Sequence, residues 1–323
     1  MINLLFIETE KRPKGETLNA HVRNCLELKK DLPRYNINID IMFTEECSKK
    51  YQKKYDIILF SYSSKRLPLF IELEKVFKIN NNSLWGWFSN EYNISPNGEP
   101  VKIFKERFPN TIFISNYEKS VKSYKYLKNQ YCINFNSLFY KPKNLIRKKY
   151  NYIYYGTYRK DRRKSFEKYI KKNIYISTSK KNHKFYKNIN RDYTAIDKLS
   201  WKKNTLSLFR YSFYIEDEYT HNNFNNLSNR FYENLSHNCV TLFDRSCLNT
   251  LEKSELEDYE EFLVDSYDDI LKFDEHNFEE NLRKQEKWHS IIIKEREEML
   301  FNFSEVIKNE IKKNNINSEV ENA

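Results

Sequence analysis

The chain has 323 residues, of which 39% are hydrophobic and 31% charged, with 23 Phe, 25 Tyr and a net charge of +11. That aromatic load excludes a chain that is disordered over most of its length, and no run of about 18 apolar residues is present to cross a bilayer. Five scattered cysteines (Cys25, Cys47, Cys132, Cys239, Cys247) without a CxxC pair argue against a disulfide framework or zinc ribbon and point to the reducing cytoplasm. The opening MINLLFIETEK lacks the basic n-region of a secretory leader and reads as a first buried strand.

From there the pattern alternates. INLLFIE (2–8) is a strand, 16–32 a helix, 37–43 and 55–63 strands, 67–79 a helix and SLWGWFS (83–89) a strand. TIFISNY (111–117), a helix over 118–128 and YCINFN (131–136) complete a first set, and the basic, proline-bearing stretch 139–150 is a linker. The order then repeats: strand 151–155, helix 161–172, strand 174–178, strand 211–217, helix 227–236, strand 239–243 and strand 261–265. A charged amphipathic segment over roughly 275–314 closes the chain as one or two helices, with a frayed tail. Near-continuous apolar strands separated by helices predict parallel sheets covered on both faces. The expected fold is therefore α/β, two Rossmann-like domains facing a cleft. The predicted divisions are an acceptor domain over 1–145, a nucleotide-binding domain over 146–285 and a C-terminal helix over 286–323.

Charge is segregated along the chain as well, with its boundary near residue 210. Residues 1–210 hold 44 basic and 19 acidic side chains, residues 211–323 hold 12 and 26, and residues 101–210 alone hold 29 and 6. Biased coding would enrich Lys, Asn, Ile and Tyr together, but it would not empty one stretch of acids and load the next. A segregated positive field suits a nucleotide, DNA or an anionic membrane surface.

Only four glycines are present (Gly15, Gly86, Gly98, Gly156), and neither GxGxxG nor a Walker A motif occurs, which excludes the usual dinucleotide and P-loop sites. Six histidines without HExxH or HxH spacing predict no metal site. Three segments could carry chemistry. In YYGTYRKDRRKSFEKY (154–169), Gly156 turns after a strand and Arg159 and Arg162 flank a helix start, a place for a diphosphate. In NNLSNRFYENLSHNCVTLFD (225–244), Ser228, Asn229 and Arg230 sit in a first helical turn where free amides favour an anion. Glu233, one turn on, would accept from ribose hydroxyls or else be an ordinary exposed acid. In WGWFSNEYNISPNGEP (85–100), Glu91 follows a strand and could take a proton from an acceptor hydroxyl, or simply brace its loop. His21, on the first helix, is a second acid–base candidate or a packing residue.

RFYENLSHNCVTLFD resembles the nucleotide-sugar signature of GT-B-fold glycosyltransferases, in which a Glu one turn into a helix holds the donor ribose. YYGTYRKDRR is similar to the opening of their C-terminal domain. Many retaining members carry an acid eight positions before that Glu, where this chain has Asn225. The NEYN…GEP stretch is similar to segments of phage-encoded glycosyltransferases that modify hydroxymethylpyrimidines in DNA. The resemblance implies a nucleotide-sugar donor, expected to be UDP-linked, with Gly156, Arg159, Arg162, Ser228, Asn229, Arg230 and Glu233 around it. Position makes Glu91, with His21 second, the expected catalytic group. The arginines at the diphosphate and the scarcity of Asp-x-Asp pairs predict no required metal or cofactor. The basic stretch 101–210, with the NEYN resemblance, points to double-stranded DNA as acceptor. A peripheral transferase of surface polysaccharide and a non-catalytic nucleic-acid-binding protein are the other two readings.

Overall fold

The computed structural model describes residues 1–8, 20–46, 54–61, 84–89, 112–116, 129–200, 203–216, 221 and 226–321. The chain forms two compact units, Met1–Leu138 with Arg296–Ala323, and Phe139–Glu295.

The first unit contains β1 (Ile2–Glu8), α1 (Ala20–Asp31), β2 (Ile37–Phe43), β3 (Ile57–Ser61), β4 (Leu84–Ser89), β5 (Ile112–Ser115) and β6 (Asn129–Cys132). The strands form one parallel sheet in the order β2-β1-β3-β4-β5-β6. Leu4, Leu5, Phe6 and Ile7 are all buried, so β1 is covered on both faces, which is why its apolar run does not alternate. Order reverses at β1, whose carboxyl end therefore lies at a topological switch point beside β3.

The second unit contains β7 (Tyr150–Tyr155), α2 (Arg163–Tyr169), β8 (Ile174–Ser177), α3 (Lys180–Lys187), β9 (Thr194–Ile196), β10 (Phe209–Tyr214), α4 (Asn229–Ser236), β11 (Val240–Asp244), β12 (Leu263–Val264) and α5 (Phe278–Glu286). Its sheet is also parallel, ordered β12-β11-β10-β7-β8-β9. The reversal falls between β7 and β10. The core is strongly aromatic, with Tyr154, Tyr169, Tyr186, Tyr211 and Tyr214 fully buried. Buried phenols need partners. The Tyr211 hydroxyl donates to the Asp274 carbonyl at 2.7 Å, and that of Tyr169 to the Val264 carbonyl at 2.9 Å.

The compact units divide after Leu138 and after Glu295, where the sequence pattern sets divisions at 145 and 286. Phe139 and Tyr140 are buried, and the Lys141 and Lys143 amides donate to Ser236 Oγ and O at 2.7 and 2.8 Å, so the linker is docked onto the second unit from Phe139 onward. The closing helix, α6 (Trp288–Glu321), is no separate segment. Trp288 is buried in the second unit, with its indole N–H on the Glu257 carbonyl at 2.8 Å. From Arg296 on, the helix belongs to the first unit. There Met299, Leu300, Phe303 and Ile307 join the core of β1, β2 and α1, and Arg296 pairs with Asp31 at 2.7 Å. The expected frayed tail is instead helical through Glu321. The last strand of the first sheet lies at 129–132 rather than 131–136, and α3 and β9 were not foreseen. The helices expected over 67–79 and 118–128 lie outside the described residues.

Lys148 is buried beneath α5, with Nζ donating to the His237 carbonyl at 3.0 Å and lying 5.7 Å from the Phe278 ring centre. Burial brings its ammonium down to about 8. A lysine lowered in the folded state destabilises the fold at neutral pH, and the penalty is relieved as pH rises from about 8 towards the unfolded value near 10.4. Lys148→Met should therefore raise stability by about 2 kcal/mol at pH 7, with the advantage shrinking by pH 10. Urea unfolding of both proteins across that range checks it.

Candidate functional site

The carboxyl ends of β7 and β10 are adjacent, and the residues just beyond them build the site. Beyond β7 comes Gly156, at φ +146°, with its amide on the Ser177 carbonyl at 3.1 Å. A Cβ there would stand 3.2 Å from Arg230 Nη2 and 3.3 Å from Tyr154 Oη. The backbone angle favours glycine, and a Cβ would crowd the guanidinium by a few tenths of an ångström. Beyond β10 comes Glu216, buried. Its Oε2 accepts a very short bond from Arg162 Nη2, and its Oε1 accepts from Ser228 Oγ at 2.8 Å and lies 3.1 Å from Arg230 Nη1. Arg230 also donates to the Ile215 carbonyl at 3.0 Å, and its guanidinium carbon lies 5.3 and 5.8 Å from the Tyr154 and Tyr155 ring centres.

Two buried guanidiniums thus share one carboxylate, leaving a local surplus of positive charge. Burial alone would raise the Glu216 carboxyl, but Arg230 and Arg162 together hold it below the ordinary glutamate range. The arrangement is intact at neutral pH and is lost only as acid protonates Glu216.

Ser228 precedes α4 in extended conformation, as an N-cap should, yet its side chain makes no cap bond. The hydroxyl is spent on Glu216. The first amides of α4 are left without a side-chain cap, beside Arg230, which is the anion-favouring end of a helix dipole. Asn229 opens that turn, half-buried. Glu233 is only 3% exposed, which overturns its reading as an ordinary surface acid. The Tyr155 hydroxyl lies 3.2 Å from Glu233 Oε2, 3.1 Å from the Arg230 carbonyl and 3.1 Å from Asn234 Oδ1. Burial, and then the Glu233 charge, push that phenol well above its usual range, so it remains a donor.

Gly156, Arg162, Ser228, Arg230 and Glu233 are therefore brought together. Arg159 is not drawn into the Glu216 cluster and stays exposed in extended backbone between Gly156 and α2. Glu91, Gly15 and Asn225 lie outside the described residues. His21 is buried on α1 with Nδ1 4.0 Å from Glu8 Oε2, and Ser61 Oγ donates to Glu8 Oε1 at 2.5 Å. This places His21 and Glu8 at the switch point of the first sheet. Sequence reasoning missed Glu216, Tyr155 and Glu8. The signal available for two of them was an acid closing an apolar strand, in FYIE and LLFIE.

No protein-family model matches the sequence, and no curated protein does. Solved structures do. T4 phage β-glucosyltransferase, crystallised with its UDP-glucose substrate, is 15% identical, with a TM-score of 0.66 over 95% of this chain and 99% of that one. A second structure of that DNA-modifying enzyme, in the presence and absence of uridine diphosphoglucose, is 16% identical with the same TM-score over 96% and 100%. Anabaena HepE in complex with UDP-glucose is 9% identical, with a TM-score of 0.55 over 94% and 100%. The chain has the GT-B fold. Within it, the Gly156–Glu216–Arg230 cluster occupies the crevice at the strand-order reversal of the second sheet, where open α/β sheets bind ligands.

Glu216→Gln keeps the shape of the cluster but leaves two buried guanidiniums without their counter-charge. The expected loss is about 3 kcal/mol of unfolding free energy. Pyrophosphate in the buffer should restore part of it by supplying the missing anion. Denaturant titrations with and without the anion check both statements.

Proposed function

We propose that this chain is a glycosyltransferase that moves a sugar from a UDP-sugar, with UDP-glucose the first donor to test, to a hydroxymethylated pyrimidine in duplex DNA. The observation that carries the donor half is the gathering of Arg162, Arg230 and Glu233 around the Gly156 turn at the β7–β10 switch point of a GT-B chain. The acceptor half is supported by the basic belt of residues 101–210 and by the likeness to T4 phage β-glucosyltransferase, described as a DNA-modifying enzyme.

In the reaction, the acceptor oxygen forms a bond to the anomeric carbon as the bond from that carbon to the diphosphate oxygen breaks, and UDP departs with the electron pair. Arg162, Arg230 and the first amides of α4 stabilise the charge that develops on the diphosphate, without reorganising as it forms. Arg159, on the loop after Gly156, adds a further cation once the donor is seated. Glu233 accepts from the ribose hydroxyls. Glu91 takes the acceptor proton, with His21 beside Glu8 as the alternative base. With the arginines supplying the positive charge, a divalent cation is not required. The T4 enzyme has been solved in complex with UDP and Mn2+, so turnover with and without a chelator belongs in the first assay.

The deciding experiment incubates the protein with a set of nucleotide sugars and hydroxymethylated or unmodified duplex, followed by nucleoside mass spectrometry. A hexosylated nucleoside from the modified duplex alone is the expected product, and its absence with every donor overturns the reading. Two substitutions separate binding from chemistry. Glu233→Ala should weaken UDP-glucose binding by about 2 kcal/mol through lost charge-assisted bonds, read by calorimetry. Glu91→Gln should lower turnover about 10²–10⁴-fold with donor affinity unchanged, since the group acts on the acceptor proton alone.

A further inference from the structure

The strand order of the second sheet turns the charge pattern of the sequence into a spatial one. Residues 157–203, which supply α2, β8, α3 and β9 on one side of the switch point, carry 16 basic and 4 acidic side chains. Residues 204–295, which supply β10, α4, β11, β12 and α5 on the other side, carry 9 basic and 20 acidic ones. One half of a single unit is cationic and the other anionic.

Lysines in the two halves are used differently. In the acidic half, Lys272, Lys284, Lys287 and Lys294 are all engaged with carboxylates. On α3, Lys180, Lys181, Lys184 and Lys187 are exposed, and among the described residues none of them is in an ion pair. Helix stability does not account for all four. Lys184 and Lys187 favour the carboxyl end of the helix dipole, but Lys180 and Lys181 stand in its first turn, where a cation is unfavourable by about 0.3–1 kcal/mol. Phe185, one turn after Lys181 and at the edge of the lysine row, is 40% exposed, its ring stacked on Tyr158 with centres 5.1 Å apart and planes at 10°. The pair is anchored from below: Phe166 of α2 packs against Tyr158 at 5.8 Å and against Tyr186 of α3 at 5.1 Å. Lys160 and Lys164, at the start of α2, are also exposed and in no ion pair among the described residues. Both helices begin at the carboxyl edge of the sheet, the same edge that carries Gly156 and Glu216.

We propose that the α2–α3 face, centred on Lys180, Lys181, Lys184 and Phe185, is a docking surface for the sugar–phosphate backbone of duplex DNA. This rests on the acceptor reading above and adds where the duplex is gripped. Over α3 the four lysines span about 10 Å along the helix. A cationic row with an apolar ring along its edge fits phosphates beside a deoxyribose. It carries no groups placed to read base edges, so the contact is independent of sequence and of base modification.

The test uses the full-length protein and a labelled duplex of about 30 base pairs, unmodified and hydroxymethylated, in fluorescence anisotropy across a salt series. The Lys180→Glu/Lys181→Glu/Lys184→Glu variant should bind both duplexes at least about 10-fold more weakly at low salt. The slope of log affinity against log salt should fall by about three, roughly 0.9 for each phosphate no longer neutralised. The corresponding Gln variant should show the same change in slope with a smaller drop in affinity. UDP affinity should be unchanged in both, which confirms that they are folded. Phe185→Ala should weaken binding while leaving the slope alone. If the wild-type protein binds duplex and the lysine variants bind it equally well, the docking surface is wrong and the acceptor reading stands. If the wild-type protein binds UDP but no duplex at low salt, the acceptor reading falls and takes this surface with it. Lysine-dependent binding to vesicles of anionic phospholipid, without duplex binding, would assign the face to a membrane and overturn the proposal.

Discussion

Burying one carboxylate between two guanidiniums is the constraint around which the second unit is arranged. Glu216 cannot be withdrawn from water unless both of its oxygens are matched, and Arg162, Arg230 and Ser228 match them. The partners come from two distant places in the chain: Arg162 from the segment after β7, and Ser228 and Arg230 from the start of α4. The ion cluster thus fixes the loops at the switch point relative to one another, and Gly156, at a backbone angle that favours glycine, lets Arg230 pass close by. Ser228 shows that the cluster takes precedence over helix propensity, since its hydroxyl serves Glu216 instead of closing the helix start.

Around this cluster the unit uses tyrosine where most α/β cores use aliphatic residues. A phenol buries a large ring and still offers one donor, and Tyr152, Tyr155, Tyr169 and Tyr211 point theirs at carbonyls or carboxylates. Tyr152 satisfies the Phe273 carbonyl and Tyr155 serves the Glu233 region, while Tyr214 accepts from the Ser228 amide at 2.6 Å. The two neighbouring rings of β7 also cover the Arg230 guanidinium, so the cation is desolvated on an aromatic floor instead of in an aliphatic one.

Much of this was legible in the sequence because it depends on local pattern. The apolar strands, the Gly156 turn and the amphipathic helix carrying Arg230 and Glu233 all leave periodic or steric marks in the text. The features that were not legible depend on long-range pairing. Nothing near Glu216 in sequence marks it as the partner of Arg162, 54 residues away. The amphipathic pattern of α6 says that one stripe is buried, but not that its start lies in one unit and its remainder in the other. α3 was passed over because KKNHKFYK has too few apolar residues to signal a buried face: Tyr186 alone anchors it in the core. The same bias towards apolar pattern hid its exposed lysines.

The opposed charge of the two halves of the second unit has a bearing on how copies of this protein meet one another. Opposite charge at the two edges of one sheet makes any attraction between copies heterologous, edge to opposite edge, which closes into a ring or runs on as an open chain according to the rotation between them. The attraction reaches across about 30 Å at 0.01 M salt and only about 8 Å at physiological ionic strength. Such an attraction is therefore felt in dilute buffer and largely screened at physiological salt. A polyanion seated on the cationic edge neutralises one of the two partners in that attraction.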